Sequence, residues 1–410
     1  MRVVTDTNEL ARTCSTLAKS DFVAIDTEFM RESTFWPDLC LIQMAAGEEE
    51  VIVDTISEGL DLSPFFDLMT DEKVTKVFHA ARQDIEIVHH LAQVIPAPVF
   101  DTQIAAMVCG FGESVSYGML VKKMLNREID KSSRFTDWSR RPLTPKQLTY
   151  AIGDVTNLRD LFPMLKKQLE QNGRARWLDE EMAVLTNPAT YESHPEDAWK
   201  RLKMRGRSQK ALGVMMALAE WREREAQAQN VPRRRVMKDD AIYDIVAQAP
   251  TTESELANLR SVHKGFSRSA KGRGVIEAVK AGLNRDPRTL PPIKKNDPLG
   301  ADALALLDLL RVLLKAAAGR HGVAPKLIAT AAELEDIARD EETDLPSLKG
   351  WRRDLFGADA IALRHGRLGL TVENGRVVTF ERGKVSRDGD ERTANTGELQ
   401  DTLARKASDT

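Results

Sequence analysis

The stretch Phe22-Val23-Ala24-Ile25-Asp26-Thr27-Glu28-Phe29 most constrains what the chain can become: an apolar run leads straight into two carboxylates separated by one residue. Read as a buried strand, it projects Asp26 and Glu28 from one face and Thr27 from the other, because strand side chains alternate. Two acids held side by side at the end of a core strand repel each other unless something positive lies between them, and a divalent cation is the usual answer. Such a cation needs further oxygen ligands from elsewhere in the chain.

With 410 residues the chain is long enough for two or three domains. No run approaches the ~20 apolar residues of a membrane span. Its opening residues, Met1-Arg2-Val3-Val4-Thr5-Asp6, do not read as a secretory signal, so no membrane partner and a cytoplasmic location are expected. Cys14, Cys40 and Cys109 have neither disulfide nor zinc-site spacing and are expected to pack. The net charge is only −3, but residues 200–290 hold 20 Lys and Arg against 10 Asp and Glu, a local +10 that leaves −13 for the rest. A basic segment in an otherwise acidic chain is the electrostatic footprint of nucleic-acid binding, with a solvated helical face as the plain alternative.

Apolar runs at 22–26, 40–45, 51–54 and 74–78 read as strands of one sheet, and helical periodicity follows at 81–93, 101–109, 116–125 and 145–171. Thr144-Pro145 supplies an N-cap and a first-turn proline for the last of these helices. This α/β region is expected to span 1–190. Beyond a linker near 187, strand signals nearly vanish. One helical module is expected over 208–288 and, past a proline-rich break, a second over 298–380, with charges balanced over 300–384. The polar end, 384–410, reads as a disordered tail.

Two further acids join the first pair. Asp84, in His79-Ala80-Ala81-Arg82-Gln83-Asp84, stands where a strand hands over to a helix, and Asp154 lies one helical turn after Tyr150 on the same face. Asp26, Glu28, Asp84 and Asp154 together could furnish the oxygen shell of two Mg²⁺ or Mn²⁺ ions suited to in-line attack on a phosphodiester, with Tyr150 orienting the water.

In order and spacing, Asp26-x-Glu28, His79-x-Ala81-x-x-Asp84 and Tyr150-x-x-x-Asp154 match the three exonuclease motifs of the DEDD superfamily in its tyrosine-containing branch. With Phe35-Trp36-Pro37-Asp38-Leu39-Cys40-Leu41-Ile42-Gln43 and Asp137-Trp138-Ser139-Arg140-Arg141-Pro142-Leu143, the chain resembles the bacterial ribonuclease D family over nearly its whole length. The helical modules resemble HRDC domains, the first more clearly through Trp221-Arg222 and Val231 to Asp239. The resemblance implies a ribonuclease-H-like α/β exonuclease domain followed by two all-α HRDC-like domains. It also implies metal-dependent 3′→5′ hydrolysis of RNA to nucleoside 5′-monophosphates, and RNAs with a free 3′ end, such as tRNA precursors and small structured RNAs, as substrates. A monomer is expected. Gly153 departs from the alanine usual between the two functional residues of the third motif.

The motifs act on phosphate and leave the sugar open, so a Werner-type DNA exonuclease is the alternative enzyme, and a catalytically silent nucleic-acid scaffold the alternative of another class. His79 is expected to pack and not to ligate. Phe29, with Phe35 and Trp36, is a candidate for stacking on bases, against an ordinary core role. Gln83, Arg140 and Arg141 are candidate substrate contacts, against surface salt bridging. Arg233, Arg234, Arg235 and Lys238, with Lys200, Arg201, Lys203, Arg205, Arg207 and Lys210, are candidates for the RNA backbone.

Overall fold

The computed structural model describes residues 1–130, 136–203, 208–263, 265–293, 298–339 and 344–381. The 384–410 segment and the candidates Arg205 and Arg207 lie outside the described residues. No helix among the described residues is long and apolar enough to cross a membrane.

Six strands form one sheet: β1 Arg2–Val4, β2 Phe22–Met30, β3 Asp38–Ala46, β4 Glu49–Asp54, β5 Thr75–Phe78 and β6 Val99–Asp101, in the order β1-β4-β3-β2-β5-β6. β3 runs antiparallel to β2 and β4, and the remaining pairs are parallel. β2 is central, with Val23, Ala24 and Ile25 all fully buried, which explains an apolar run without alternation. The expected strands fall in β2 to β5. β1 and β6 were not anticipated, because three residues carry too little pattern to register.

Helices α1 Thr7–Leu17, α2 Ser63–Thr70, α3 Arg82–Ala92, α4 Thr102–Val108, α5 Tyr117–Leu125, α6 Pro145–Gln171 and α7 Ala175–Leu185 surround the sheet. α6 has the bounds expected from sequence, and Thr144 and Gln147 close a capping box around its start. Its buried stripe, including Ala151, Val155, Leu158, Leu161 and Leu165, packs on β2 and β3, and Pro163 interrupts its backbone ladder two turns beyond Asp154.

The first helical module comprises α8 Gln209–Ala228, α9 Arg233–Val236, α10 Asp239–Gln248, α11 Glu253–Ala257 and α12 Ala270–Leu283. α8 and α12 cross with backbones nearly touching. A Cβ on Gly213 would come within 2.5 Å of the Gly282 carbonyl oxygen, so only glycine fits there. Residues 1–299 and 321–327 form one compact unit, joining the α/β domain to this module. Asn230 is one tie between them: its Oδ1 accepts from the backbone N–H groups of Phe35 and Trp36, each at 3.1 Å.

The described residues of 300–320 and 328–381 form a second compact unit. Its helices include Ala331–Arg339 and Ala358–Arg364, the latter preceded by a π-helical turn over Arg353–Gly357. An all-α module was expected here, but the unit ends in an antiparallel hairpin, β7 Leu368–Glu373 and β8 Arg376–Glu381. The hairpin forms because Asn374-Gly375 supplies two consecutive positive φ angles, 51° and 75°, as a two-residue turn requires.

Candidate active site

β5 pairs with β2 only as far as Ala24, so Asp26, Thr27 and Glu28 run past its last paired residue, and α3 begins a few residues after β5 ends. A register shift against β3 follows between Glu28 and Phe29. Asp26 and Glu28 share a face, as alternation requires, and α6 brings Asp154 to them. One carboxylate oxygen from each of the three lies within 4.8 Å of the others. Asp84, buried in the first turn of α3, stands beside this trio. Thr27, expected merely to face away, donates its hydroxyl to Asp84 Oδ1 at 2.5 Å and thereby ties α3 to the strand.

Crowding shows in the protonation equilibria. Burial first, then the charges of Asp154, Asp84 and Glu28, raise the Asp26 carboxyl well above the ordinary carboxylate range. Burial, Asp154 and Asp84 push Glu28 up to about 8. Asp84 and Asp154 are each raised to about 7, chiefly by burial, against the opposing hydrogen bonds from Thr27 and Tyr150 respectively. The charged neighbours acting on Asp26 are all acidic, so the cluster lacks internal compensation. A set of hard oxygen donors with uncompensated negative charge fits a divalent cation.

Tyr150 hydrogen-bonds the Asp154 carboxylate, and burial with the surrounding acids raises its phenol, which keeps the proton available for donation. Trp138 packs near it with ring centroids 6.0 Å apart, and the Tyr117 hydroxyl donates to the Asp154 backbone carbonyl. His79 faces Thr102, with Nδ1 3.0 Å from the hydroxyl, in a packing role.

Two supporting residues escaped the sequence reading. Asp101 caps α4 and accepts from the backbone N–H groups of Ala80 and Ala81 at 3.1 and 2.9 Å, holding Ala80 at φ 61° just before α3. An Asp directly after an apolar pair and before a helix is the available signal. Gln43 lies directly across from Asp26 on β3, fully buried, and its amide finds no hydrogen-bond partner among the described residues.

The candidate substrate contacts divide. Phe29 is half-buried, and Gln83 is exposed beside Asp84. Phe35 is buried against Ala226 and Val236, whereas Trp36 lies flat on His90 with ring centroids 4.2 Å apart. Arg140 is exposed and pairs with Asp137. Arg141 grips Asp54 with two nitrogens at 2.6 and 2.8 Å and also bonds the Cys40 and Trp138 carbonyls, which commits it to the fold. Arg233 forks onto Glu223, while Arg234, Arg235 and Lys238 are exposed.

A family model described as a 3′-5′ exonuclease matches residues 1–170, and an HRDC domain model matches 211–279. Ribonuclease D of Nitrobacter hamburgensis is 55% identical over 384 residues, covering 93% of this chain and 100% of that protein. Ribonuclease D of Bartonella henselae is 48% identical over 380 residues, covering 92% and 94%. The crystal structure of Escherichia coli RNase D, described as an exoribonuclease involved in structured RNA processing, matches with a TM-score of 0.78 at 25% identity. That match covers 89% of this chain and 98% of the other. An exonuclease sheet carrying this acidic cluster, an HRDC module after it and near-full-length similarity to curated relatives show that the chain belongs to the ribonuclease D family.

Proposed function

We propose that this 3′→5′ exoribonuclease holds two divalent cations, Mg²⁺ or Mn²⁺, with Asp26, Glu28, Asp84 and Asp154, and removes nucleoside 5′-monophosphates one at a time from RNAs with a free 3′ end. The observation that carries the reading is the set of three carboxylate oxygens within 4.8 Å, compressed without an internal cation. Bound ions would lower the pKa of the attacking water and neutralise charge gathering on the phosphate. The protein's own part is positional. A rigid central strand fixes Asp26 and Glu28, Thr27 sets the rotamer of Asp84, and α6 carries Asp154 in register with them. Tyr150, whose single O–H is given to Asp154 here, would turn it to the attacking water once ions hold that carboxylate, and so orient the water for attack.

The natural substrates under this reading are tRNA precursors and other small structured RNAs, processed by a cytoplasmic monomer. Residues 1–190 form the catalytic domain, 208–288 a basic HRDC domain and 298–380 a second HRDC-like one. Asp26→Asn should reduce Mg²⁺-dependent release of 5′-monophosphates from a 3′-extended tRNA by at least about a thousandfold. RNA affinity and the circular-dichroism spectrum should stay near wild type. Retained turnover would reject the assignment, and equal turnover of a matched DNA strand would reject RNA selectivity.

A further inference from the structure

A small polar cavity of about 200 Å³ opens between the start of α3, the loop after β2 and the first helical module. Four arginines line it: Arg31 just past β2, Arg82 at the first position of α3, and Arg201 and Arg233 from the helical side. Glu86 and Glu192 are its acids. Glu86 is occupied by a two-pronged grip from Arg31 at 2.7 and 2.8 Å, and Glu192 lies 3.0 Å from His194 Nε2.

Glu223, only 1% exposed on α8, sits beneath Arg201 and Arg233 and accepts hydrogen bonds from both. Each guanidinium has five N–H donors in a rigid fork, so anchoring a few of them leaves others oriented and available. Phe35 supports Arg233 from the side, with the guanidinium carbon 4.4 Å from its ring centre. Arg82 differs from the other three: it is exposed and has no hydrogen bond or ion pair among the described residues. A pocket with two pre-oriented guanidiniums, one clamped and one uncommitted is built for an anion with several oxygens. Its place follows from the chain. Arg82 and Asp84 share the first turn of α3, Arg31 follows the strand that carries Asp26 and Glu28, and Tyr191 in the cavity lining feels the charges of both Arg82 and Asp84, so the cavity is built on elements of the carboxylate cluster.

We infer that this four-arginine cavity is a phosphate subsite that grips the RNA backbone upstream of the scissile bond, with Arg82 as the residue that closes on the phosphodiester. The inference rests on the exoribonuclease reading above. It implies that strand length matters. A dinucleotide has a single phosphodiester, taken up at the carboxylate cluster, and leaves the subsite empty, whereas a longer strand fills both.

The test compares wild-type full-length protein with Arg82→Ala and Arg82→Lys, using a single-stranded RNA of roughly a dozen nucleotides and a dinucleotide. Arg82→Ala should raise KM for the longer RNA about tenfold, leave kcat unchanged and leave dinucleotide hydrolysis unchanged. Arg82→Lys should recover most of the loss, and the slope of log affinity against log salt should flatten by about one in the alanine variant. Fluorescence anisotropy with the same RNA in chelator reads the subsite without turnover, and there Kd should weaken by a similar factor. An unchanged Kd and KM, or an equal loss on the dinucleotide, would overturn the subsite. If the wild type binds RNA through Arg82 but does not hydrolyse it, the exoribonuclease reading fails and the subsite stands. Because Arg82 is exposed and unpaired, loss of folding is not a competing explanation.

Discussion

Two of the places where the compact unit buries acids are treated in opposite ways. At Glu223, burial pushes the carboxyl up, but the Arg233 and Arg201 guanidiniums more than offset it and hold the group below the ordinary range. At the end of β2, Asp26, Glu28, Asp84 and Asp154 press on one another, and every one of them is raised. The first acid is satisfied by the fold and serves it. The second group is left short of positive charge, and that deficit is the functional property: it makes the site a receptor for cations from solution. Burial alone does not distinguish a structural acid from a functional one; the sign of its surroundings does.

Neutralising one acid in each region should therefore move stability in opposite directions. Glu223→Gln removes a charge that two guanidiniums need and should lower metal-free stability by about 2 kcal/mol. Asp26→Asn relieves repulsion and should raise it by about 1 kcal/mol. Urea unfolding in chelator measures both, and changes of the same sign would break the contrast.

The two regions also differ in pH response. A raised carboxyl holds a proton in the folded state that the unfolded chain has already released. Its contribution to stability is full below the unfolded value near 4 and is lost as pH rises through the folded one, about 7 for Asp84 and Asp154 and about 8 for Glu28. Glu223 has the reverse sign: its contribution is present above the unfolded value and fades only as pH falls toward and below that range. Between pH 6 and 8.5, metal-free protein should lose thermal stability, and added Mn²⁺ should restore more of it at the higher pH, because protons compete with the ion for the same oxygens. Differential scanning fluorimetry reads this directly. Glu223→Gln should keep the trend, and Asp26→Asn should flatten it.

The smallest expected effect comes from a neutral position between two site residues. A Cβ on Gly153 would meet nothing within 4 Å, so Gly153→Ala should stabilise the protein by roughly 0.5–1 kcal/mol through helix propensity alone. Hydrolysis should be unchanged. A drop in kcat would mean that α6 needs its local looseness around Asp154.

Much of this was legible in the residues themselves. The spacing of Asp26, Glu28, Asp84, Tyr150 and Asp154 announced the cluster because each sits at a fixed phase of a strand or helix, and α6 announced its bounds through Thr144, Pro145 and a regular apolar stripe. What stayed hidden depends on contacts distant in sequence. Thr27 pairs with a residue 57 positions away, and the arginine cavity draws on Arg31, Arg82, Arg201 and Arg233 from separate elements. Arg141 looked available for substrate, but Asp54, 87 positions away, had already engaged it. The hairpin after residue 367 was missed for a different reason, since Asn374-Gly375 was in plain view between two short strands.

Pro163 gives α6 a mechanical division. It has no N–H to return to the Arg159 carbonyl, so one bond of the ladder is missing there, two turns past Asp154. The proximal half, with Tyr150 and Asp154, is held by its cap and by the sheet, and the distal half is held by the burial of Leu165 and Leu169. The missing bond thus falls between two packed stretches, and the turn that carries Asp154 keeps its alignment through its cap and its packing and not through an unbroken ladder.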